Sequence, residues 1–557
     1  MLGDSINNSS ERNSIELDLG EKQDAELCRV ATIDIGTNST HLLIAKIERK
    51  LNTFSIELAE KSTTRLGERD PQTGELTSLA MNRAFSTLKR FKDLSESYKV
   101  ESLIIAATSA VREAPNGKIF IAEIKKKIGL DVELISGAEE ARLIYLGVLS
   151  GMQFGNKPHL VLDIGGGSTE LILADSSEAR ALTSTKIGAV RLQREFIKKD
   201  PISSQNELFL RSFIRGSMES AIDKVSKRIE AGEIPVLVAT SGTAMAIGSL
   251  LSNKENHMQS KLQGYKITKN NLDIIVSQLI KMTPSERSQL SSLSERRSEI
   301  IVPGALILQT IMNMVDVNEI ILSERALREG LVVDWMCRNN YLKDQLSFQG
   351  SIRERTVIHQ AKRFGVNSKR SKSVSEFALT FYDQTKGILH NDNGGGRDLL
   401  WAAAKLHACG KQINISAYHK HSWYLIKNGE LLGYSQSEHL MVAAIARYHR
   451  KSFPKKRHES WQLLVDESQR SLVADMSLLL RLSCSLDRRP EPLVSKIVIE
   501  ANNKKVNIEL IPNNLGENLD LEKWSLTKAI LLVKKIMDVD INTVSYTHLT
   551  LPTKRIV

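Results

Sequence analysis

One stretch occurs twice in this chain, and it limits the possible fold more than any other feature. Leu160–Ala174 reads LVLDIGGGSTELILA and Ala31–Ala45 reads ATIDIGTNSTHLLIA. Aligned without gaps, seven of fifteen positions are identical, from Asp34/Asp163 through Gly36/Gly165 and Ser39/Ser168 to Ala45/Ala174. Each copy predicts an apolar strand, a glycine turn and a second strand. Glycine permits φ > 0 and the close approach of a phosphate. The backbone of Gly36, Thr37, Asn38 and Ser39, and of Gly165, Gly166, Gly167 and Ser168, is therefore expected to cradle an anion. A single such hairpin reads equally well as an ordinary tight turn. Two copies predict duplicated lobes that grip a phosphate from both sides. The copies differ chemically, because Glu170 is matched by His41. Asp163 and Glu170 flank the second turn as a carboxylate pair suited to Mg²⁺ or another divalent cation, and Asp34 is the first turn's counterpart of Asp163.

At 557 residues the chain exceeds what one core supports, and three or four domains are expected. No apolar run approaches the ~18–20 residues that span a bilayer, so no membrane partner is expected. Residues 1–28 read as a disordered acidic arm: seven acids stand before Cys28 against Arg12 and Lys22. Four cysteines, Cys28, Cys337, Cys409 and Cys484, form no CxxC pair, which excludes a zinc knuckle or redox motif and suits a reducing, cytoplasmic compartment. The net charge of +11 predicts a polyanionic partner without choosing among nucleic acid, polyphosphate and an anionic membrane.

Residues 29–152 alternate strands and helices, as do residues 153–338. After a buried strand Ser102–Ala107 comes a polar junction, TSAVREAPN, where ligands of open α/β sheets collect. Arg112 stands there, either as a surface ion pair or as a phosphate ligand. Ser136 followed by Glu139 is a capping box, which occupies Glu139. Glu140 has no such task and lies one turn from Leu143 and Ile144. It reads as a general base, or as a first-turn acid that complements the helix dipole. A second glycine turn, TSGT at Thr240–Thr243, follows strand Val236–Ala239. Lys343–Gly350 reads as a linker, and residues 350–489 as helical and histidine-rich. There LHACG, HKHS and RYHR suggest a metal only weakly, because LHACG offers no carboxylate; buried histidines and polyanion contacts are preferred. The run Arg447–His458 has six Lys/Arg and no acid. It reads as a solvated loop or as a docking strip in which Arg450, Lys451, Lys455, Lys456 and Arg457 hold an extended polyanion. Residues 490–543 read as a small α+β part, and 544–557 are left unassigned.

Taken together, DIGTNSTHLLIA, RLG, AATSAVREAPN, ISGAEEARLIYLGV, LDIGGGSTELILA, IGAVRL, ATSGTA, LREGLVVD, LHACG, HKHS, LIKNGELLGYS, RYHR and LLRLSCSLDRR resemble the exopolyphosphatase / guanosine pentaphosphate phosphohydrolase family in motif order. The resemblance implies an α/β fold of two duplicated actin-like ATPase (ribonuclease H-like) lobes, followed by an all-α HD-type domain. It implies Mg²⁺-dependent release of terminal phosphate from linear polyphosphate, or alternatively of the 5′ phosphate of pppGpp. A kinase of the same fold and a catalytically dead polyphosphate sensor are the more distant readings. By the same resemblance Glu140 is the catalytic base, Arg112 binds phosphate, and Asp163 and Glu170 serve the metal and the attacking water. Ala408 after His407, and Cys484 in place of a late Asp, argue against a second active site in the helical domain. The resemblance disfavours nucleic acid as the partner, and it alone suggests a homodimer.

Overall fold

The computed structural model describes residues 27–155, 157–254, 262–342, 352–392, 394–464, 466–502, 505–514, 516–537 and 539–544. The expected linker, most of the acidic arm and the tail after Val544 lie outside them. β1 begins at Leu27, two residues before the expected start of the first lobe.

Two sheets carry the duplication. The first holds β1 (Leu27–Ile35), β2 (Thr40–Glu48), β3 (Thr53–Ser62), β4 (Ser102–Ala107) and β5 (Glu133–Leu134), in the order 3-2-1-4-5. The second holds β6 (His159–Ile164), β7 (Thr169–Ala174), β8 (Ala179–Thr185), β9 (Val236–Thr240), β10 (Lys266–Thr268) and β11 (Glu319–Leu322). Read from β8 its order is 8-7-6-9-11-10, the first sheet again with β10 added antiparallel at the edge. β1 and β6 each pair antiparallel with the next strand and parallel with a crossover strand, β4 or β9. Every residue of β6 and β7 is buried, as the Leu, Ile and Val content of these central strands requires. Each fully buried aliphatic side chain contributes about 1.5–3 kcal/mol.

The helix Gly137–Gly151 starts at Ser136, whose hydroxyl accepts from the Glu139 amide at 3.1 Å. The reciprocal half of the expected capping box is absent, because the Glu139 carboxylate instead takes Arg142 at 2.7–2.8 Å. This helix packs between the lobes against the helix Leu327–Arg338, in one core with β1, β2, β6 and β7. The second of these helices follows the last strand of lobe two yet lies on β1 and β2 of lobe one. The two helices cross almost in backbone contact: a Cβ added to Gly147 would stand 1.8 Å from the Ala326 carbonyl oxygen, and one on Gly330 1.8 Å from that of Leu143.

From Ile352 to Ser485 the described residues are helical, as expected. The expected break at residues 489/490 is not a break in the core. β12 (Val494–Asn502), β13 (Lys505–Pro512), β14 (Asp540–Val544) and the helix Asp520–Lys534 share one apolar cluster with the helical bundle. Leu526, Ile530 and Val533 enter it from that helix.

Candidate active site

The two glycine turns face each other. In each, the amide of the leading glycine donates to the serine three residues on, Gly36 to Ser39 at 3.2 Å and Gly165 to Ser168 at 3.0 Å. Among the described residues the amides of Thr37, Asn38, Gly166 and Gly167 donate to no backbone carbonyl, which leaves them for a ligand. None of the turn glycines adopts the left-handed region, contrary to the expectation of φ > 0. Space is what demands glycine: a Cβ on Gly166 would lie 2.9 Å from Thr37 Cβ, and one on Gly167 would lie 2.6 Å from Ser109 Oγ. Lobe contact is reinforced by Arg191, which donates to the Gly167 carbonyl at 3.0 Å and pairs with Glu113 at 2.5 Å.

Four acids converge here. Glu140 enters from the first turn of its helix, buried, and accepts from Arg112 Nη1 at 3.0 Å. Arg112 also donates to the Ile135 carbonyl at 2.8 Å, which ties it to the end of the β5 segment. Burial lifts the Glu140 carboxyl above its ordinary range against the pull of Arg112. Asp163 and Asp34 are each pushed up to about 7, first by burial and then by the charge of Glu140. Glu170 is lifted well above the carboxylate range by burial, Glu140 and Asp163, while Ser184 Oγ donates to it at 2.7 Å. Asp34 Oδ1 is buried with no hydrogen-bond partner.

Mutual repulsion of buried carboxylates and an orphaned oxygen are what a cation relieves, so this donor set fits a divalent ion. Among the described residues no three His, Cys, Asp or Glu side chains are grouped to hold a metal ion by themselves. An ion held here would complete its shell from substrate oxygens and water, the habit of Mg²⁺.

The opposite chemistry lies beside His41. Across the antiparallel ladder Asp34 is opposite His41, and His41 opposite Lys61. His41 Nε2 bonds Ser39 Oγ at 2.8 Å, and its imidazole is pushed down to about 3 by burial and then by Arg328, Lys61 and Arg297. It therefore stays neutral. Lys61 is lowered by desolvation and by Arg297, Arg328 and Arg296. The Arg297 guanidinium lies against the backbone of Gly242, in the second glycine turn, and burial lowers it. Ser241 of that turn adopts φ 72° and donates to the Ile164 carbonyl at 2.8 Å, beside Asp163. Lys61, Arg297 and Arg328 thus form a group of cations around His41.

Thus the structure brings together Glu140, Arg112, Asp34, Asp163, Glu170 and both turns. Sequence reading missed Lys61, Arg297, Arg328 and Ser184. Strand pairing with His41 and Glu170 was the one signal that would have found Lys61 and Ser184. The basic run does not act as one unit. Arg450 turns inward over the Tyr418 ring at 4.6 Å, whereas Lys451, Lys455, Lys456 and Arg457 are exposed. Cys28, Cys409 and Cys484 are free thiols, and no helix among the described residues is long and apolar enough to cross a membrane.

Comparison with known proteins gives the family. The model of the Ppx/GppA phosphatase family matches residues 43–339, and that of its domain III matches residues 352–529. A guanosine-5′-triphosphate,3′-diphosphate pyrophosphatase of Pseudoalteromonas translucida is 30% identical over 431 residues, 77% of this chain and 82% of that protein. The protein of the same description from Vibrio vulnificus is 28% identical over 490 residues, 88% and 93% of the two chains. Among solved structures, an exopolyphosphatase from Cytophaga hutchinsonii is 28% identical with a TM-score of 0.52, covering 56% of this chain and 98% of its own. Duplicated lobes, facing glycine turns and matches that together run from residue 43 to residue 529 lead to one assignment: the chain belongs to the Ppx/GppA phosphatase family.

Proposed function

We propose that this protein hydrolyses a terminal phosphoanhydride bond, with linear polyphosphate as substrate. The observation that carries the reading is the buried Glu140, held by Arg112 between the carboxylates Asp163 and Glu170 and the open amides of two facing turns. The terminal phosphate sits between the turns, on the amides of Thr37, Asn38, Gly166 and Gly167. Arg112 leaves Glu140 for a phosphate oxygen. That frees a carboxylate of raised pKa, able to orient water and take its proton as the phosphoanhydride breaks. Lys61, Arg297 and Arg328 neutralise the next phosphates. Asp34, Asp163 and Glu170 would hold a divalent cation, which when bound supplies charge neutralisation to phosphate oxygens and to the departing chain.

Lys451, Lys455, Lys456 and Arg457 offer exposed charge to a long polyanion. Replacing Lys455, Lys456 and Arg457 together by Gln is expected to weaken long-chain binding several-fold in a salt-dependent way and to spare short chains. No difference between chain lengths would remove that role. The free thiols of Cys28, Cys409 and Cys484 suit a reducing, cytoplasmic location.

A second reading is favoured by the curated relatives named above as guanosine-5′-triphosphate,3′-diphosphate pyrophosphatases: removal of the 5′ phosphate of pppGpp at the same site. Phosphate release measured side by side on polyphosphate and pppGpp, with Mg²⁺, separates the two. In either case Glu140→Gln is expected to lower turnover by about 10²–10⁴-fold while substrate binding persists. Equal loss of binding and turnover would make Glu140 structural.

A further inference from the structure

Segments of the helical domain that are distant in sequence meet at a cavity that the reaction above does not use. LHACG and its next turn bring His407 and Lys411, the helix Ser368–Gln384 brings Arg370, and the end of the helix Glu467–Ser485 leads to Asp487. With Phe364 and Gln412 they line a cavity of about 230 Å³, room for a tetrahedral oxyanion with several waters. HKHS and RYHR supply the layer behind it. The His449 ring stands edge-on to His407 with centroids 5.2 Å apart, and its Nε2 meets the Tyr418 hydroxyl at 3.1 Å.

The imidazoles have defined protons. His407 Nδ1 lies 2.7 Å from the Ala404 carbonyl and His449 Nδ1 lies 2.6 Å from that of Ala446. A carbonyl only accepts, so each Nδ1 carries hydrogen and each Nε2 a lone pair. Burial keeps both rings neutral. His449 Nε2 accepts from Tyr418. His407 Nε2 has no partner among the described residues, although His407 is buried and lines the cavity.

The charges point the same way. Arg370 commits Nε and Nη2 to Asp487 at 2.7 and 2.9 Å, and its Nη1 makes no bond within the described residues. Lys411 makes no ion pair there, and Arg450 stands over Tyr418 close by. Two cations, Arg370 and Lys411, therefore share the cavity wall with one carboxylate, which leaves a surplus of positive charge for an anion.

We propose that this cavity binds monohydrogen phosphate. Lys411 Nζ and Arg370 Nη1 donate to its oxygens, and the bare Nε2 of His407 accepts its single O–H. A sulfate ion carries no proton to offer and would leave that lone pair facing an oxygen. The assignment rests on the lining of the cavity. The reaction proposed above only gives the ligand a source, since orthophosphate is its product.

The experiment is protection of Lys411 in the full-length protein from acetylation by acetic anhydride, read by peptide mass spectrometry. It uses millimolar phosphate, sulfate or chloride at matched ionic strength and mildly alkaline pH. Phosphate is expected to slow acetylation of Lys411 by roughly tenfold, with Lys455 and Lys456 unchanged and sulfate having under about a quarter of the effect. Calorimetry should show Lys411→Gln losing one phosphate site and keeping the one in the cleft. Absence of protection, or an unchanged number of sites in the variant, overturns the proposal. So does equal protection by sulfate. Hydrolysis is not read at any point, so this outcome is independent of whether polyphosphate or pppGpp is cleaved.

Discussion

Both lobes present the same three-strand row to the cleft, and the two rows carry opposite chemistry. In lobe one Asp34, His41 and Lys61 lie side by side across β1, β2 and β3. In lobe two Asp163, Glu170 and Ser184 take the corresponding places on β6, β7 and β8. The backbone that cradles an anion is kept in both. Beyond the shared aspartate the first row is a neutral imidazole and a lysine, and it turns toward Arg297 and Arg328. The second became a carboxylate pair steadied by a hydroxyl donor. Duplication thus supplied a symmetric frame, and under the proposed function the side chains one and two strands away from the shared aspartate divide the labour between holding phosphate and acting on it.

That division can be broken from either side. The largest effect is expected at the second row. Glu170→Gln removes half of the carboxylate pair and should lower kcat by roughly 10²–10³-fold with little change in KM, in steady-state phosphate release. Wild-type turnover in this variant would show that the chemistry does not depend on the second row. A smaller and different effect is expected at the first. Lys61→Gln removes one charge-assisted contact to a phosphate beyond the scissile bond, so KM should rise about tenfold with kcat nearly constant. A fall in kcat at unchanged KM would move Lys61 to the reacting phosphate and erase the contrast.

The smallest effect is thermodynamic. Asp34 and Asp163 titrate near 7 in the folded protein, above the range of an exposed carboxyl. Between about pH 4 and 7 the folded state therefore binds more protons than the unfolded one. Stability falls as pH rises through that window and levels off above it. Without divalent ions the melting temperature should drop across this range, by several degrees or more. Mg²⁺ should restore more of it at pH 8 than at pH 5.5. Equal recovery at both pH values would mean that the ion does not meet these carboxylates.

Much of this was legible before folding. The repeat named both hairpins, and the topology 3-2-1-4-5 against 8-7-6-9-11 is that repeat carried through whole sheets. Glu140 stood out because Ser136 engages the neighbouring Glu139, and the structure keeps that half of the argument. The role of glycine was misjudged because sequence records the absence of a Cβ, not what presses on it: Thr37 and Ser109 approach from the other lobe. Lys61 and Ser184 reach the cleft only through strand register, and Arg297 and Arg328 only through tertiary packing. The helical domain hid its cavity for the same reason. His407 and Asp487 are 80 positions apart in the chain and line one space.

The crossing of the two interlobe helices works as a gauge. Glu140 lies seven residues before Gly147, about 10 Å along one helix, and Arg328 lies two residues before Gly330 on the other. Because the helices touch through bare backbone, no side-chain rotamer can take up slack between them. The offset between Glu140, the proposed base, and Arg328 is thereby machined into the frame at a point distant from the turns. A single added methyl group at either glycine would throw the site out of calibration while leaving every residue of the site in place.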